Sequence, residues 1–261
     1  MNQAMWISKT GLHAQEAKLQ AIANNIANVN TVGYKRDRVV FEDLFYRIQI
    51  EPGAQLDDNR VSPTGLQLGT GTRVVGTQKL FTDGDAKTTN EQYDVAIEGQ
   101  GFLQVELPDG QTAYTRAGQL QPGPEGILAT AQGMPLVPEI TIPEGTSRVT
   151  IGADGRVTAR SAIDDSTNEL GQLELASFVN PAGLRALGNN LYRETEASGP
   201  PTEGAPGTNG MGTLRQGALE NSNVEVVEEM TEMMTAHRVY EMNTKVLSAA
   251  DNMLQQLAQV A

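Results

Sequence analysis

Residues 23–35 read ANNIANVNTVGYK. Apolar residues recur at helical spacing before this stretch, and Gly33 interrupts the pattern after it. Four asparagines, Asn24, Asn25, Asn28 and Asn30, fall between. Asparagine is a middling helix former because its short amide competes with the backbone for hydrogen bonds. A helix that carries so many near its end uses them for something other than helicity. Ala23, Ile26, Ala27 and Val29 keep an apolar seam, while Asn24, Asn25 and Asn28 fall largely off it. There, small side chains and amides allow close approach and hydrogen bonds to another copy of the chain. Gly33 then offers the left-handed conformation that caps a helix. The stretch reads as a junction, with Gly33 and Tyr34 as its turn.

Working outward, residues 1–30 form a predicted helix. Met5, Leu12, Leu19 and Ile26 are spaced by seven, and Ile22 and Val29 sit beside them. At the other end of the chain Val226, Met233, Tyr240, Leu247 and Leu254 repeat with the same interval, widened by Met230, Ala236, Ala250, Met253 and Leu257. Seven is the coiled-coil period. Ser222 with Glu225 three residues later fits a capping box, and Glu228, Glu229 and Glu232 follow where the helix dipole favours negative charge. The second helix is therefore expected over 222–261. Each stripe is too narrow to stabilise an isolated helix. The two helices are expected to pair as one coiled-coil domain, or to offer their seams to other copies.

The middle changes period. Tyr93, Val95 and Ile97 alternate with polar residues, as do Leu103, Val105 and Leu107, which argues strands with one buried face. Turns at Pro108-Asp109-Gly110 and Ala153-Asp154-Gly155 predict two hairpins. Residues 72–197 are read as an all-β domain. Before it, 43–71 carries two turn signals, Pro52-Gly53 and Pro63-Thr64-Gly65, between short apolar runs. Leu44, Phe45, Tyr46, Ile48, Ile50, Val61, Leu66 and Leu68 are too many apolar residues to leave in water, so a long β-hairpin or extended arm is expected rather than disorder. Gly53 and Gly65, following turn prolines, are candidates for positive φ. After it, SGPPTEGAPGTNGMG (198–212) reads as an extended or mobile connection. Residues 31–71 and 198–221 thus connect the helical and β parts of an α+β multi-domain chain.

The chemistry of the sequence is sparse. A net charge of −13 argues against nucleic acid and against anionic membranes. Lys35-Arg36-Asp37-Arg38 is a lone basic run, read as a solvated turn. There is no cysteine, so no disulfide, thiol catalyst or thiolate metal site. His13 and His237 are the only histidines, one on each helix, and make a poor metal site. Gly99-Gln100-Gly101 lacks the third glycine and following helix of a dinucleotide cradle. Asp164-Asp165-Ser166-Thr167-Asn168-Glu169 lacks the pattern of a calcium loop and reads as a solvated loop. No catalytic group, metal or cofactor is expected. The N-terminus has no signal-peptide pattern, and no apolar run is long enough to enter a membrane.

The opening stretch also carries a likeness. Ala23-Asn24-Asn25-Ile26-Ala27-Asn28, with Asn30-Thr31 and Gly33-Tyr34-Lys35, resembles the N-terminal signature of the bacterial flagellar rod and hook axial proteins. That signature usually has Leu at Ile26. Further residues are similar to the family. They are Gly217-Ala218-Leu219-Glu220-Asn221-Ser222-Asn223-Val224, then Glu229-Met230-Thr231 and Arg238-Val239-Tyr240-Glu241, and in the middle Ala96-Ile97-Glu98-Gly99 with Gly101-Phe102, Tyr114-Thr115-Arg116 with Gly118, and Phe178-Val179-Asn180-Pro181-Ala182-Gly183-Leu184. Tyr93 and Leu103 depart from the usual Leu and Phe. The chain is shorter than the hook protein and longer than the proximal rod proteins. Its arm, with Phe45, Tyr46, Pro52, Gly53, Pro63, Gly65 and Leu66, resembles an insertion that sets a rod member apart from the hook.

The resemblance implies a homo-oligomeric helical polymer in the basal body, in the periplasmic space, with the helices as an inner coiled-coil layer and the β domain outside. It implies contacts with proximal rod proteins, the hook or hook-junction proteins and the outer ring bushing. It further implies passage through the flagellar type III export apparatus without a cleaved signal peptide. A soluble β-domain binding module with a terminal helical hairpin is the alternative from another class.

Overall fold

The computed structural model describes residues 3–53, 55–57, 60–61, 63–162 and 166–260. Its contacts separate the chain into a helix–arm unit (1–26, 37–78 and 225–261) and a β unit (27–36 and 79–224).

In the helix–arm unit, α1 spans Gln3–Ala27 and α2 spans Val226–Val260. The second helix starts later than the capping-box pattern places it. The Ser222 hydroxyl accepts from the Val224 amide at 3.3 Å instead of capping a first turn. Asn223 is held by strand-side carbonyls, which keeps that segment out of the helix. Lys18 Nζ lies 3.0 Å from Glu232 Oε2, Asn25 meets Glu229, and a Cβ on Gly11 would sit 3.2 Å from the Asn243 amide. Positions fall along α1 as they rise along α2, so the helices run antiparallel. Among the described residues, those the single chain buries on them are Ser8, Ala14, Ile22, Asn25, Glu229, Ala236 and Ala250. Most are small or polar. Two helices alone cover only a narrow strip, so the larger seam residues stay partly in water.

The rest of this unit is a long hairpin. Asp37–Asp43 pairs with Thr72–Lys79, Tyr46–Ile50 with Leu66–Gly69, and Gln55–Asp57 with Arg60–Val61. Residues 72–79 thus belong to the base of the arm. At that base Leu44 N–H donates to the Gly71 carbonyl at 2.9 Å, and the Thr72 amide donates to Thr10 Oγ1 at 3.4 Å.

The β unit is built around the strand Phe102–Glu106. Thr112–Thr115 pairs along one edge, after the expected turn at Gly110. The other edge is shared, Leu175–Ser177 taking Phe102 and Leu103, Leu136–Val137 taking Gln104 and Val105. Period-two alternation sends Leu103 and Val105 into an aliphatic core with Val95, Leu128, Leu136, Ile140, Val157, Leu173 and Leu175. Phe102 points into a second cluster with Tyr114, Phe178 and Tyr192, packed edge-to-face at 4.8–6.0 Å between ring centres. The second expected hairpin is present as Thr146–Ile151 against Arg156–Ser161.

Two expectations fail here. The 198–212 segment is no free connection, because Thr202–Gly204 pairs with Leu175–Ser177 and Met211 is buried in the aliphatic core. Enough backbone groups find partners there to fix a Gly- and Pro-rich chain. The acidic stretch is not all loop either. Thr167–Gln172 is a strand paired with Arg156–Ser161, while Asp164 and Asp165 lie outside the described residues.

Candidate functional site: junction, helix faces and arm

The turn that follows α1 is fixed from several sides. Gly33 has φ +70°, and its N–H donates to the Glu220 carbonyl at 2.9 Å. A Cβ there would come within 2.8 Å of the Arg116–Ala117 backbone. Only glycine combines that conformation with that approach. Tyr34 and Lys35 follow it into the interior. Lys35 is 0% exposed, so the basic run is not a solvated turn at that position. Its ammonium donates to Glu220 Oε1 at 2.6 Å and to the Thr82 carbonyl at 2.5 Å. Arg116 binds the same carboxylate through Nε at 2.8 Å, and reaches Asp83 Oδ1 at 3.2 Å and the Gly99 carbonyl at 2.9 Å. The Gly84 amide completes the set at 3.0 Å from Glu220 Oε1. Burial holds the Lys35 pKa below its ordinary value, and the Arg116 charge adds to the drop, against the pull of Glu220. No spacing in the sequence links Lys35, Arg116 and Glu220, which come together only through the fold.

The asparagines separate by role. Asn25 is 1% exposed and engaged within its own chain. Its amide donates to the Asp37 carbonyl at 2.9 Å and to both Glu229 oxygens at 3.3 Å, and its Oδ1 accepts from the Asp37 N–H at 2.9 Å. Its bonds to Asp37 and Glu229 are therefore intramolecular ones, made without a second copy. Asn28 Oδ1 accepts from Thr31 in the turn, and Asn24 is exposed.

The expected seam is only half covered. Met5, Leu12, Leu19, Ile26, Met233 and Leu247 are partly buried, and Ile22 is buried. Val226, Met230, Tyr240 and Leu254 are exposed. The arm is barer still. The expected long hairpin is present, but Phe45 is 93% exposed, and Tyr46, Ile48, Ile50 and Leu66 are exposed too, so one chain leaves much of its apolar content in water. Pro52 and Pro63 are exposed at its turns. Gly53 has the expected positive φ of +87°, but Gly65 does not need one. Gly65 is there for space, since a Cβ would run into the Ile50 carbonyl and Pro52.

Among the described residues no group of three or more His, Asp or Glu side chains is placed to hold a metal, and no helix is long and apolar enough to cross a membrane. What the geometry offers is exposed apolar surface on α2 and the arm.

Family models match in three places. Residues 5–35 match the flagella basal body rod protein model, 96–159 the flagellar hook protein FlgE/F/G D1 domain, and 215–260 the flagellar basal body rod FlgEFG protein C-terminal region. The chain is 47% identical over 260 residues to the flagellar basal-body rod protein FlgG of Buchnera aphidicola subsp. Schizaphis graminum, covering 100% of both chains. The chain belongs to the flagellar basal-body rod protein family. It is a structural component of the flagellar basal body and not an enzyme. Caulobacter vibrioides separates two members of the family. Its FlgG is 42% identical over 259 residues, covering 99% of each chain. Its FlgF is 34% identical over 252 residues, covering 95% of this chain and 93% of its own. The N-terminal and C-terminal models contribute Lys35 and Glu220 to the buried ion group, and the D1 model contributes Arg116.

Proposed function

We propose that the chain is a subunit of the flagellar distal rod, polymerising into a stiff helical tube that surrounds the export channel and carries torque from motor to hook. α1 and α2 form its inner coiled-coil layer, and the β unit its outer layer. Its neighbours are other copies, proximal rod proteins, hook or hook-junction proteins and the ring bushing. It reaches the periplasm unfolded through the flagellar type III export apparatus. The full-length similarity to FlgG, above that to FlgF in the same organism, supports the distal member over its similar-sized relative.

The observation that carries assembly is the exposed apolar surface of the helix–arm unit. Phe45, Tyr46, Ile48 and Ile50 on the arm, and Val227, Met230, Met234 and Met242 on α2, are all at least 42% exposed. Large apolar side chains exposed in such numbers mark interaction sites. Contacts between copies cover it, and ordering of the helices is coupled to that step.

Sedimentation at rising concentration with electron microscopy tests the reading. Tubes and a concentration-dependent size are expected, whereas a monodisperse monomer at every concentration would favour the binding-module alternative. Deleting 43–71 is expected to give a more flexible or curved polymer. A straight, stiff polymer after that deletion would remove the arm from the mechanism.

A further inference from the structure

We infer that Glu220 is a positioning residue, a latch through which the last strand of the β unit fixes the turn that ends α1. Its backbone carbonyl holds Gly33 N–H, and its side chain holds the Lys35 ammonium two residues on. The same carboxylate binds Arg116 and the Gly84 amide, so three segments far apart in sequence meet on this residue of a fourth. The side chains of Lys35, Arg116 and Glu220 are 0%, 2% and 2% exposed, with Asp83 at the rim at 55%.

A buried ion group of this kind adds little net stability over well-packed apolar residues, yet removing one member leaves an uncompensated charge. What it supplies is geometry. Lys35 can enter the interior only when the carboxylate is in place. The carboxylate is in place only when Ala218–Glu220 has paired with Ala86–Thr88. The conformation of 31–36, close to the N-terminus, therefore depends on a strand near the C-terminus. Asn223 extends the latch. Its Oδ1 accepts from Arg36 N–H at 2.8 Å while its amide donates to the Leu80 carbonyl at 2.8 Å. Leu80 N–H closes the loop on the Arg36 carbonyl at 2.9 Å. Arg36, Leu80 and Asn223 thus form a second layer beside the ion group.

Hydrogen exchange by mass spectrometry on the full chain tests this without reference to the polymer, so it can fail while the rod reading stands. Two variants are compared with the native chain, E220L and the apolar combination K35M/R116M/E220L. In E220L, exchange at 31–36 is expected to speed up by at least about tenfold, while strands 102–106 and 112–115 change far less. The triple variant is expected to regain thermal stability but to leave 31–36 about tenfold faster than in the native chain, because packing without charge does not fix the turn. Native protection of 31–36 in either variant overturns the inference. If E220L does not fold, the triple variant decides. Failure of both, together with E220Q, would make Glu220 a residue of the whole fold and would overturn its special role at the turn.

Discussion

In the β unit, Val95, Leu103 and Val105 are at most 1% exposed and belong to an aliphatic core that, with the aromatic cluster around Phe102, buries most of its large apolar residues, Val179 at 92% being the main exception. In the helix–arm unit, Phe45 is 93%, Val227 71% and Met242 59% exposed. Both units come from one chain with one overall composition. The difference is where each finds partners for its apolar side chains. The β unit closes on itself through pairings between strands far apart in sequence. The helix–arm unit has two helices and a two-stranded hairpin, and a two-stranded hairpin alone is marginal in water. In a single chain its apolar side chains stay largely in water.

Substitutions in the two units are therefore expected to act through different equilibria. Leu103→Ala, in the strand at the centre of the β unit, is expected to destabilise the single chain by about 3–5 kcal/mol in urea unfolding. A value under about 1 kcal/mol would mean that this strand is not the core it looks to be. Gly33→Val follows, at about 2–4 kcal/mol, since it adds a left-handed penalty to a backbone clash. Here the change should be seen in the β unit, which contains the turn. Asn25→Leu is expected to cost about 1–3 kcal/mol, because Glu229 loses a buried donor and Asp37 a hydrogen-bonded partner. Asn24→Leu, at an exposed position, is expected to cost less in the single chain than Asn25→Leu. Equal effects from the two would erase the distinction between them. Smallest in the single chain is Phe45→Ser, within about 0.5 kcal/mol of native, yet polymer formation should fall sharply, as read by sedimentation. If Phe45→Ser left polymerisation untouched, the arm's apolar face would not be an interface.

The parts legible in the sequence are those with local signals. Helical spacing located both helices, period two and the glycine turns located the Phe102–Glu106 and Thr146–Ile151 hairpins, and two turn signals located the arm. Gly33 announced its own φ. The rest depended on tertiary partners. Lys35 looked like part of a charged surface run, because nothing local says that Glu220 lies across from it. Residues 198–212 looked free, because glycine and proline are read from chain entropy while Thr202–Gly204 is held by Leu175–Ser177. The arm's apolar residues looked too many for water, yet Phe45, Tyr46, Ile48, Ile50 and Leu66 are exposed in the single chain, because apolar content does not say what covers it. Ser222 fitted a cap, and lost the role because its neighbour Asn223 was already committed to Leu80 and Thr82.

The contrast between the two units is most directly tested by hydrogen exchange on the dilute monomer and again on the assembled polymer. In the monomer, amides of strands 102–106 and 112–115 are expected to exchange only with global unfolding. Those of α1, α2 and the arm strands 46–50 and 66–69 should exchange at least about a hundredfold faster, and become protected on assembly. Terminal helices and arm as strongly protected in the dilute monomer as the β unit would contradict the idea that other copies complete this half of the chain.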